Sequence, residues 1–436
     1  MKTLYWVTKE LRLDDNPALH KAASSDSLLI TYCVDPRWFS PYRYHLASLG
    51  THRWNFLQES LSQFNKALAP LGQSLAIYYE RPEVQLINLI NALGIERLVC
   101  SRQFGVDEKA ALRFIAGRFE NLVIEQVDTT TLFNKDALPF ALEALPPSYS
   151  QFRRSLENQA VPAPMDSPIK LPKPPSFNHS RVTRPSWVPA PKATQCQFVG
   201  GEQNALTHAN NYFSASLPAS YKTTRNELDG WDSSSKMSPW LNNGDLSPRR
   251  LKQLLTAYET STVANESTHW LYVELLWREY FQWLALKIGN ALFTYKGNSS
   301  CQRMGCFYPE RFQQWCHGTT PYPLVNACMM QLKQTGYLSN RGRQIAASCF
   351  INEMELDWRY GAAWFEHQLV DYDVAVNWGN WQYIAGVGAD PRGGRHFNLA
   401  KQQLTYDPDG LYQARWPSDQ APLPLNSRDA ADWPIG

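Results

Sequence analysis

The stretch TLYWVTKELRLDDNPALHKAASSDSLLITYCV, residues 3–34, decides the fold class of the first part of the chain. It contains two short apolar runs, at 3–8 and 28–34, which predict buried strands. Between them, the cluster DDNP at 14–17 supplies capping residues and a proline that predict the start of a helix. Strand, helix and strand in this order predict a parallel βαβ unit, because parallel strands need a long crossover connection.

The alternation of strand and helix continues to about residue 130. Three further apolar runs, at 74–80, 97–102 and 122–127, alternate with helical patterns around 52–69, 84–93 and 107–119. This order predicts a doubly wound, Rossmann-like parallel sheet in an α/β domain over residues 1–130. No GxGxxG motif follows the first run, so we infer no dinucleotide site there.

The remainder of the chain divides at a proline-rich segment. Between residues 139 and 191 lie 12 of the 29 prolines, which predicts an irregular connector over residues 131–200. Beyond it the pattern is helical: Ser247 and Pro248 form an N-cap and first-turn pair, and residues 271–287 form a strong helix. We therefore predict an all-α domain over residues 201–436.

Composition excludes several classes of protein. The 436 residues are 44% hydrophobic and 19% charged, and no run of about 18 apolar residues occurs, so we expect a globular protein without a signal peptide or membrane span. Eight cysteines without a CxxC pair suit free thiols in the reducing cytoplasm, and we predict no metal site. A set of Cys301, Cys306, Cys316 and His317 is the alternative, but its spacing fits no usual zinc pattern. Since the net charge is only +2, any nucleic-acid site must be a local patch.

The segment DYDVAVNWGNWQYIAG, residues 371–386, is the first candidate binding region. It sets Asp371, Asp373 and Asn377 among two tryptophans and two tyrosines. Buried polar groups need partners, and a flat ligand with a polar edge would supply them. The segment WDSSSKMSP, residues 231–239, offers hydroxyls and a cation to a diphosphate, with a plain serine-rich helix cap as the alternative.

Two helical patterns add further candidates. Glu274, Trp277, Arg278 and Phe281 share one helix face, which is either a pocket wall or an intrahelical ion pair on a half-buried face. In SNRGRQIAAS, residues 339–348, the side chains of Asn340, Arg343 and Gln344 share another face. Arg343 would pair with a carboxylate of 371–386 and Arg341 with a phosphate, unless this is a solvated basic helix start.

These motifs resemble the photolyase and cryptochrome family, most closely its cryptochrome-DASH branch, over nearly the whole chain. The resemblance also covers TKELRLDDNPAL at the start, ELLWREYF and LDWRYGAAWFEHQLVDYD. It implies a folded FAD inside the helical domain. By position, the diphosphate and ribityl side would contact Tyr221, Ser234, Ser235, Lys236, Met237 and Ser238, and the flavin side would contact Arg278, Asn340, Arg343, Asp371 and Asp373. Asn377 would face flavin N5, and Trp381, Trp358 and Trp315 would pass electrons from the surface to the flavin.

The resemblance implies a light-driven lyase chemistry. Excited reduced FAD donates an electron to a cyclobutane pyrimidine dimer, the ring splits and the electron returns. Glu274 would bond the polar edge of the dimer and Trp277 would stack on it. The other expected DNA contacts are Arg225, Asn340, Arg341, Gln344, Tyr383, Arg392 and Arg395.

Departures from the family pattern refine this expectation. Gln344 and Tyr383 replace the methionine and tryptophan of duplex-repairing members, which predicts repair mainly in single-stranded DNA. Glu108 matches the acid that holds a methenyltetrahydrofolate antenna, although Asp107 replaces the commoner asparagine. Asn326 and Met330 replace an aspartate and an arginine, so one charge pair is missing.

Alternative functions and partners remain open on the sequence alone. The second hypothesis is a blue-light photoreceptor with little repair activity, and a flavin-dependent redox enzyme is a distant third. RNA is a further conceivable partner, and a monomer is favoured.

Overall fold

A five-stranded parallel sheet forms the first part of the protein in the computed structural model, which describes residues 1–176, 183–299, 305–389 and 393–425. The strands are β1 (Lys2–Trp6), β2 (Ser27–Cys33), β3 (Leu75–Tyr78), β4 (Arg97–Ser101) and β5 (Val123–Val127). Their order is β3-β2-β1-β4-β5, and every neighbouring pair is parallel. Each apolar run singled out in the sequence forms a strand, so the prediction of a doubly wound parallel sheet is confirmed.

Helices cover both faces of this sheet. They are α1 (Pro17–Ala23), α2 (Thr51–Leu68), α3 (Pro82–Leu93) and α4 (Val106–Arg118). Leu4 and Trp6 of β1 pack in a core with residues of α3 and α4, whereas Tyr5 and Val7 pack on the opposite face with residues of α1 and α2. Burial on both faces explains why the central strands β1, β2 and β4 are nearly continuous apolar runs rather than alternating ones.

Part of the predicted connector belongs to the helical core. Within residues 131–200 the chain forms α5 (Tyr149–Leu156), whose Phe152 is fully buried. The Phe152 ring lies 5.2 Å from that of Tyr280, and Tyr149 stacks on Trp277 at 3.6 Å. The proline density hid this amphipathic turn, because it is only eight residues long. The domain boundaries themselves remain a prediction.

The second part of the chain is helical. Its helices are α6 (Glu202–Ser214), α7 (Tyr221–Thr224), α8 (Ser238–Asn243), α9 (Pro248–Ser261), α10 (Glu266–Ile288), α11 (Pro309–His317), α12 (Pro323–Thr335), α13 (Asn340–Asn352), α14 (Trp358–Gln368), α15 (Val374–Ala385), α16 (Leu399–Tyr406) and α17 (Leu411–Arg415). Short 3-10 helices lie at Pro36–Phe39, Ala69–Leu71, Lys135–Ala137, Leu142–Ala144, Leu217–Ser220 and Gly289–Phe293. Ser247 caps α9 as predicted, by accepting hydrogen bonds from the backbone N–H groups of Arg249 and Arg250.

The turn after β1 docks directly onto the helical part. The buried Arg12 guanidinium donates to the carbonyl oxygens of Gly244, at 2.8 Å, and Thr129, at 2.7 Å. The buried Arg249 pairs with Asp15 at 3.0 Å. These bonds satisfy charges that would be costly to bury alone, so the two parts are held in a defined relation. Among the helices described, none is both long and apolar enough to cross a bilayer.

Candidate functional site

A buried ion pair joins the start of α13 to the turn before α15. Arg343 Nη2 donates to both carboxylate oxygens of Asp371, at 2.9 and 2.8 Å, as predicted from the sequence. Ser238 Oγ donates to the same carboxylate at 2.6 Å, and Asn242 Nδ2 donates to the Asp371 carbonyl oxygen at 2.6 Å. Asp371 is only 3% exposed, so these contacts fix α8, α13 and the turn before α15 around one carboxylate.

Asp373 has a different role from Asp371 in the structure. Its Oδ1 accepts hydrogen bonds from the backbone N–H groups of Ala375 and Val376, which makes it the N-cap of α15. Its Oδ2 accepts from Lys9 Nζ at 3.0 Å. Both oxygens therefore have partners within the protein, and the predicted grip of Asp373 on the flavin edge stays a prediction.

Asn377 lies one turn into α15 and is buried. Its Nδ2 donates to the carbonyl oxygen of Ala362 at 3.0 Å, which fixes the orientation of the amide. Its Oδ1 accepts no hydrogen bond from the described residues. A fixed amide with an available acceptor can bind an N–H group of a ligand such as the edge of a reduced flavin.

The serine-rich turn before α8 has a strained backbone. Lys236 has φ 53°, in the left-handed region that costs a residue with a side chain about 1–2 kcal/mol. Its Nζ lies 3.0 Å from Ser234 Oγ, and Met237 beside it is buried. The Ser235 carbonyl oxygen contacts His208 Nε2 at 2.8 Å. The turn thus collects hydroxyls and one ammonium group, which suits a diphosphate, and strained turns are common at ligand sites.

The predicted face of α10 divides between two environments. Glu274 forms an ion pair with Arg225 and accepts from Trp270 Nε1 at 3.0 Å. Arg278 lies away from it and donates to Asn242 Oδ1 and the Leu241 carbonyl oxygen, both at 3.1 Å. The alternative of an intrahelical pair is therefore wrong. The donors of Arg278 bond protein acceptors, and its predicted contact with the flavin stays a prediction.

Glu274 occupies a partly desolvated position. Burial raises the pKa of its carboxyl group, and the charge of Arg225 and the hydrogen bond from Trp270 oppose that rise. About a third of the side chain is exposed, so a ligand can reach it. A carboxyl group in this setting can donate or accept a hydrogen bond according to its protonation.

An aromatic surface lies beside this carboxyl group. The ring of Trp277 stacks on Tyr149 at 3.6 Å and meets the ring of Tyr383 edge to face at 5.9 Å. Arg395 donates to the Tyr383 hydroxyl, and its guanidinium lies 5.1 Å from that ring. The structure therefore brings together four of the residues assigned to DNA binding: Glu274, Trp277, Tyr383 and Arg395.

The other residues predicted to contact DNA differ in their exposure and packing. Asn340 is exposed and Gln344 half-buried on the outer face of α13. The half-buried Arg341 guanidinium lies over the rings of Tyr406, at 4.9 Å, and Phe397, at 5.6 Å. Its packing leaves less of the charge available to a phosphate than the sequence suggests. Arg392 lies outside the described residues.

The predicted electron route needs a correction at its outer end. Trp315 is fully buried, and Trp358 and Trp381 are each 2% exposed, so none of the three predicted tryptophans can be the surface end of the route. The Trp315 ring lies 6.2 Å from that of Trp381. Trp358 instead meets Trp378 edge to face at 5.8 Å. Trp378 was not among the sequence candidates, although its position three residues before Trp381 on α15 could have indicated it.

Partly exposed tyrosines continue this aromatic cluster outward. The ring of Tyr44, in the first part of the chain, lies 6.0 Å from Trp378 and 5.0 Å from Tyr360. Both tyrosines are half-buried. The cluster therefore runs from Trp358 and Trp378 toward solvent through tyrosines, whereas Trp315 lies on the inner side.

A cavity of about 260 Å³ lies between the sheet and the helical part. Its lining includes Glu108 on α4, Trp378 on α15 and Tyr42 in the loop that follows β2. Burial raises the pKa of the Glu108 carboxyl group. Asp107 lies 3.4 Å from Arg43 at the rim. Glu108 thus lines a cavity between the two parts of the chain, and its role as an antenna acid stays a prediction.

The two departures within α12 are locally compensated. Asn326 Oδ1 accepts from the N–H of Thr320 at 2.9 Å and its hydroxyl at 2.6 Å, while Nδ2 donates to the Thr320 carbonyl oxygen at 2.7 Å. Met330 is 1% exposed within the core. A satisfied amide and an apolar side chain replace the missing charge pair without leaving a buried charge.

The metal alternative finds no support in the described residues. Cys316 is buried in the core and Cys306 is exposed, while Cys301 lies outside the described residues. No group of three or more potential ligands that could hold a metal ion occurs within the part of the chain that the structure describes.

Comparison with known proteins gives a consistent result. Residues 3–173 match the family model described as DNA photolyase, and residues 270–432 match the FAD binding domain of DNA photolyase. The chain is 46% identical to cryptochrome DASH of Idiomarina loihiensis, over 99% of this chain and 96% of that one. It is 45% identical to cryptochrome DASH of Vibrio parahaemolyticus, over 99% and 97%. The Synechocystis cryptochrome structure superposes with a TM-score of 0.91 at 36% identity, over 95% of this chain and 88% of that one.

Proposed function

We propose a function from the premise that this chain belongs to the photolyase and cryptochrome family and carries its FAD-binding domain. The proposed function is the repair of cyclobutane pyrimidine dimers under blue light, mainly in single-stranded DNA. The observation that carries the proposal is the grouping of Glu274, Trp277 and Tyr383 on one accessible surface. Such a surface combines a stacking plane with a carboxyl group for the polar edge of a base.

The proposed FAD site consists of residues whose polar groups suit the polar parts of FAD. Reduced FAD, when bound and excited, supplies a single electron and takes it back. Arg343 and Asp371 would hold the polar edge of its ring system, and Asn377 offers the acceptor oxygen for an N–H group there. Lys236 with its serine hydroxyls would balance the diphosphate charge.

The lesion side of the proposal depends on α10. Trp277 is held by its stacking on Tyr149, so its orientation is set before a base arrives. Glu274 in its protonated form can donate to a pyrimidine carbonyl oxygen, and its raised pKa favours that form. The ion pair with Arg225 would have to loosen when the carboxyl group turns to a ligand, which leaves Arg225 free for a phosphate.

The preference for single strands follows from Gln344 and Tyr383. A polar amide and a smaller phenol offer less apolar stacking area than methionine and tryptophan. Flipping a base out of a duplex costs a few kcal/mol, which a weaker stacking surface repays less well. A single strand presents the lesion unpaired and avoids that cost.

A folate antenna is proposed for the cavity that Glu108 lines. The half-buried Glu108 carboxyl group would bond the N–H groups of a pterin, and the 260 Å³ cavity offers room for its ring. A blue-light photoreceptor is the second candidate function. The bond between Arg395 and Tyr383 favours it, because this bond joins two of the residues assigned to DNA binding to each other.

The test measures cofactor and repair on one preparation. The purified protein is scanned for a flavin spectrum and photoreduced, and its repair of UV-irradiated oligothymidylate is followed as single strand and as duplex. Light-dependent repair confined to the single strand supports the proposal. Equal rates on both substrates would refute the strand preference, and a photoreducible flavin without any repair would favour the photoreceptor.

A further inference from the structure

Lys9 follows β1 at the centre of the sheet, where the strand order reverses. The chain runs from β1 to β2 on one side, while β4 pairs with β1 on the other. Ligands of doubly wound sheets bind at such a point, at the carboxyl ends of the strands. Here the side chain of Lys9 extends from that point into the helical part of the protein.

The contacts of Lys9 fix both its backbone and its ammonium group. Its Nζ lies 3.0 Å from Asp373 Oδ2, and the Asp373 side chain is 1% exposed. Its carbonyl oxygen packs against Gly244, where an added Cβ would lie 1.7 Å from that oxygen. Gly244 has φ 85°, so both space and backbone conformation require glycine there. This rigid contact therefore fixes the position of the Lys9 ammonium group at the boundary between the sheet and the helical part.

Asp373 connects Lys9 to the candidate flavin site. Its Oδ1 caps α15 through the N–H groups of Ala375 and Val376, and its carbonyl oxygen accepts from the N–H of Asn377 at 2.8 Å. The amide of Asn377 projects from this first turn. Any loss of the cap would therefore loosen the position of that amide.

We propose that Lys9 is a positioning residue of the flavin site, which holds the Asp373 carboxylate as the cap of α15 and so keeps the Asn377 amide in place. This inference rests on the proposed function, because it concerns the same flavin site. It makes the first part of the chain a contributor to flavin binding, although residue 9 lies far from the matched FAD-binding domain in sequence.

The electrostatic surroundings of Asp373 support this role. The charged groups around it are Lys9, Arg278 on α10, the Asp371–Arg343 pair on either side of its own turn and, near Lys9, Glu108 on α4. Burial by itself pushes the pKa of Asp373 upward, but the charges of Lys9 and Arg278, together with the hydrogen bonds from the Val376 N–H and Lys9, hold the pKa below its usual value. Removing Lys9 leaves burial opposed mainly by Arg278, and the pKa must rise.

The test uses full-length protein and compares Lys9→Met with Lys9→Arg and with the double variant Lys9→Met and Asp373→Asn. The FAD dissociation constant and the thermal unfolding of the FAD-free protein are measured from mildly alkaline to mildly acidic pH. Lys9→Met should bind FAD about five- to tenfold more weakly, as expected for a lost N-cap, and the loss should deepen as the pH falls. Lys21→Met, which removes an exposed lysine of the same sheet domain, is the matched control.

The comparison of the Lys9 variants distinguishes a positioning role of Lys9 from a general effect on stability. Lys9→Arg should restore most of the affinity, and the double variant should remove the pH dependence because an amide caps a helix without a charge. A Lys9→Met protein with wild-type affinity at every pH would overturn the inference. So would a loss that is independent of pH or not relieved by Asp373→Asn. These readouts need no DNA, so a wild-type protein that binds FAD but repairs nothing would refute the proposed function alone.

Discussion

Removing the Arg343 guanidinium should destabilise the protein through the carboxylate it leaves behind. Arg343 makes two hydrogen bonds to Asp371, which is 3% exposed; among the described residues, the Ser238 hydroxyl is the one other side-chain donor to that carboxylate. Breaking a buried pair by removing one partner costs about 3–5 kcal/mol. Since the Arg343 side chain is 26% exposed, water can partly replace it, and we expect a loss of about 2–3 kcal/mol in the free energy of unfolding for Arg343→Ala.

Urea denaturation of the variants measures this loss. A decrease of about 2–3 kcal/mol should appear as a lower midpoint with an unchanged slope. The double variant Arg343→Ala and Asp371→Asn should recover more than half of the loss, because the uncompensated charge is gone. The free energy of unfolding of Arg343→Lys should lie between those of the wild type and Arg343→Ala, because lysine keeps the charge but cannot make the two hydrogen bonds of the guanidinium group. A double variant less stable than Arg343→Ala would refute the reasoning, because the cost would then not come from the isolated carboxylate.

Three further predictions address repair, electron transfer and pH. Glu274→Ala should lower dimer repair at least about tenfold while the FAD content stays intact. Glu266→Ala, which changes an exposed residue of the same helix, should leave repair unchanged. Repair assays and the flavin absorbance of each variant measure both expectations. Trp358→Phe should slow photoreduction with an external thiol more than Trp315→Phe does, and equal rates would show another route. Burial lowers the pKa of His52, so the folded state resists its protonation. Stability should therefore fall as the pH drops below about 6.5, and His52→Gln should flatten that dependence in thermal unfolding.

Regular periodicity made most of the fold predictable. The central strands β1, β2 and β4 are buried on both faces and must be apolar over most of their length, whereas the edge strand β5 is partly exposed and still forms a recognisable apolar run. Ser247 and Pro248 marked the start of α9 because a cap is a local property of the sequence. The helix α5 was missed because it is short and lies in a proline-rich segment, and because its burial depends on contacts with Tyr280 and Trp277, far along the chain.

The candidate site was only partly predictable. The pairing of Arg343 with Asp371 followed from the need of a buried carboxylate for a partner, and the chemistry of the two groups was enough to choose it. The pairing of Lys9 with Asp373 spans 364 residues, and no local pattern indicates which of many lysines reaches that carboxylate. Exposure is equally hidden in the sequence, which is why the structure was needed to show that none of Trp315, Trp358 and Trp381 lies at the surface end of the electron route.

The positions of Trp358, Trp378 and Tyr44 suggest why the two parts of the chain are packed so closely. Tyr44 belongs to the loop after β2, yet its ring contacts Trp378 on α15 and Tyr360 on α14. If electrons reach the buried tryptophans through these half-buried tyrosines, the route crosses the boundary at the wall of the same cavity that Glu108 lines. Light capture, electron entry and the cap provided by Lys9 would then all depend on one interface. A substitution that loosens this interface without touching any flavin contact should impair all three together.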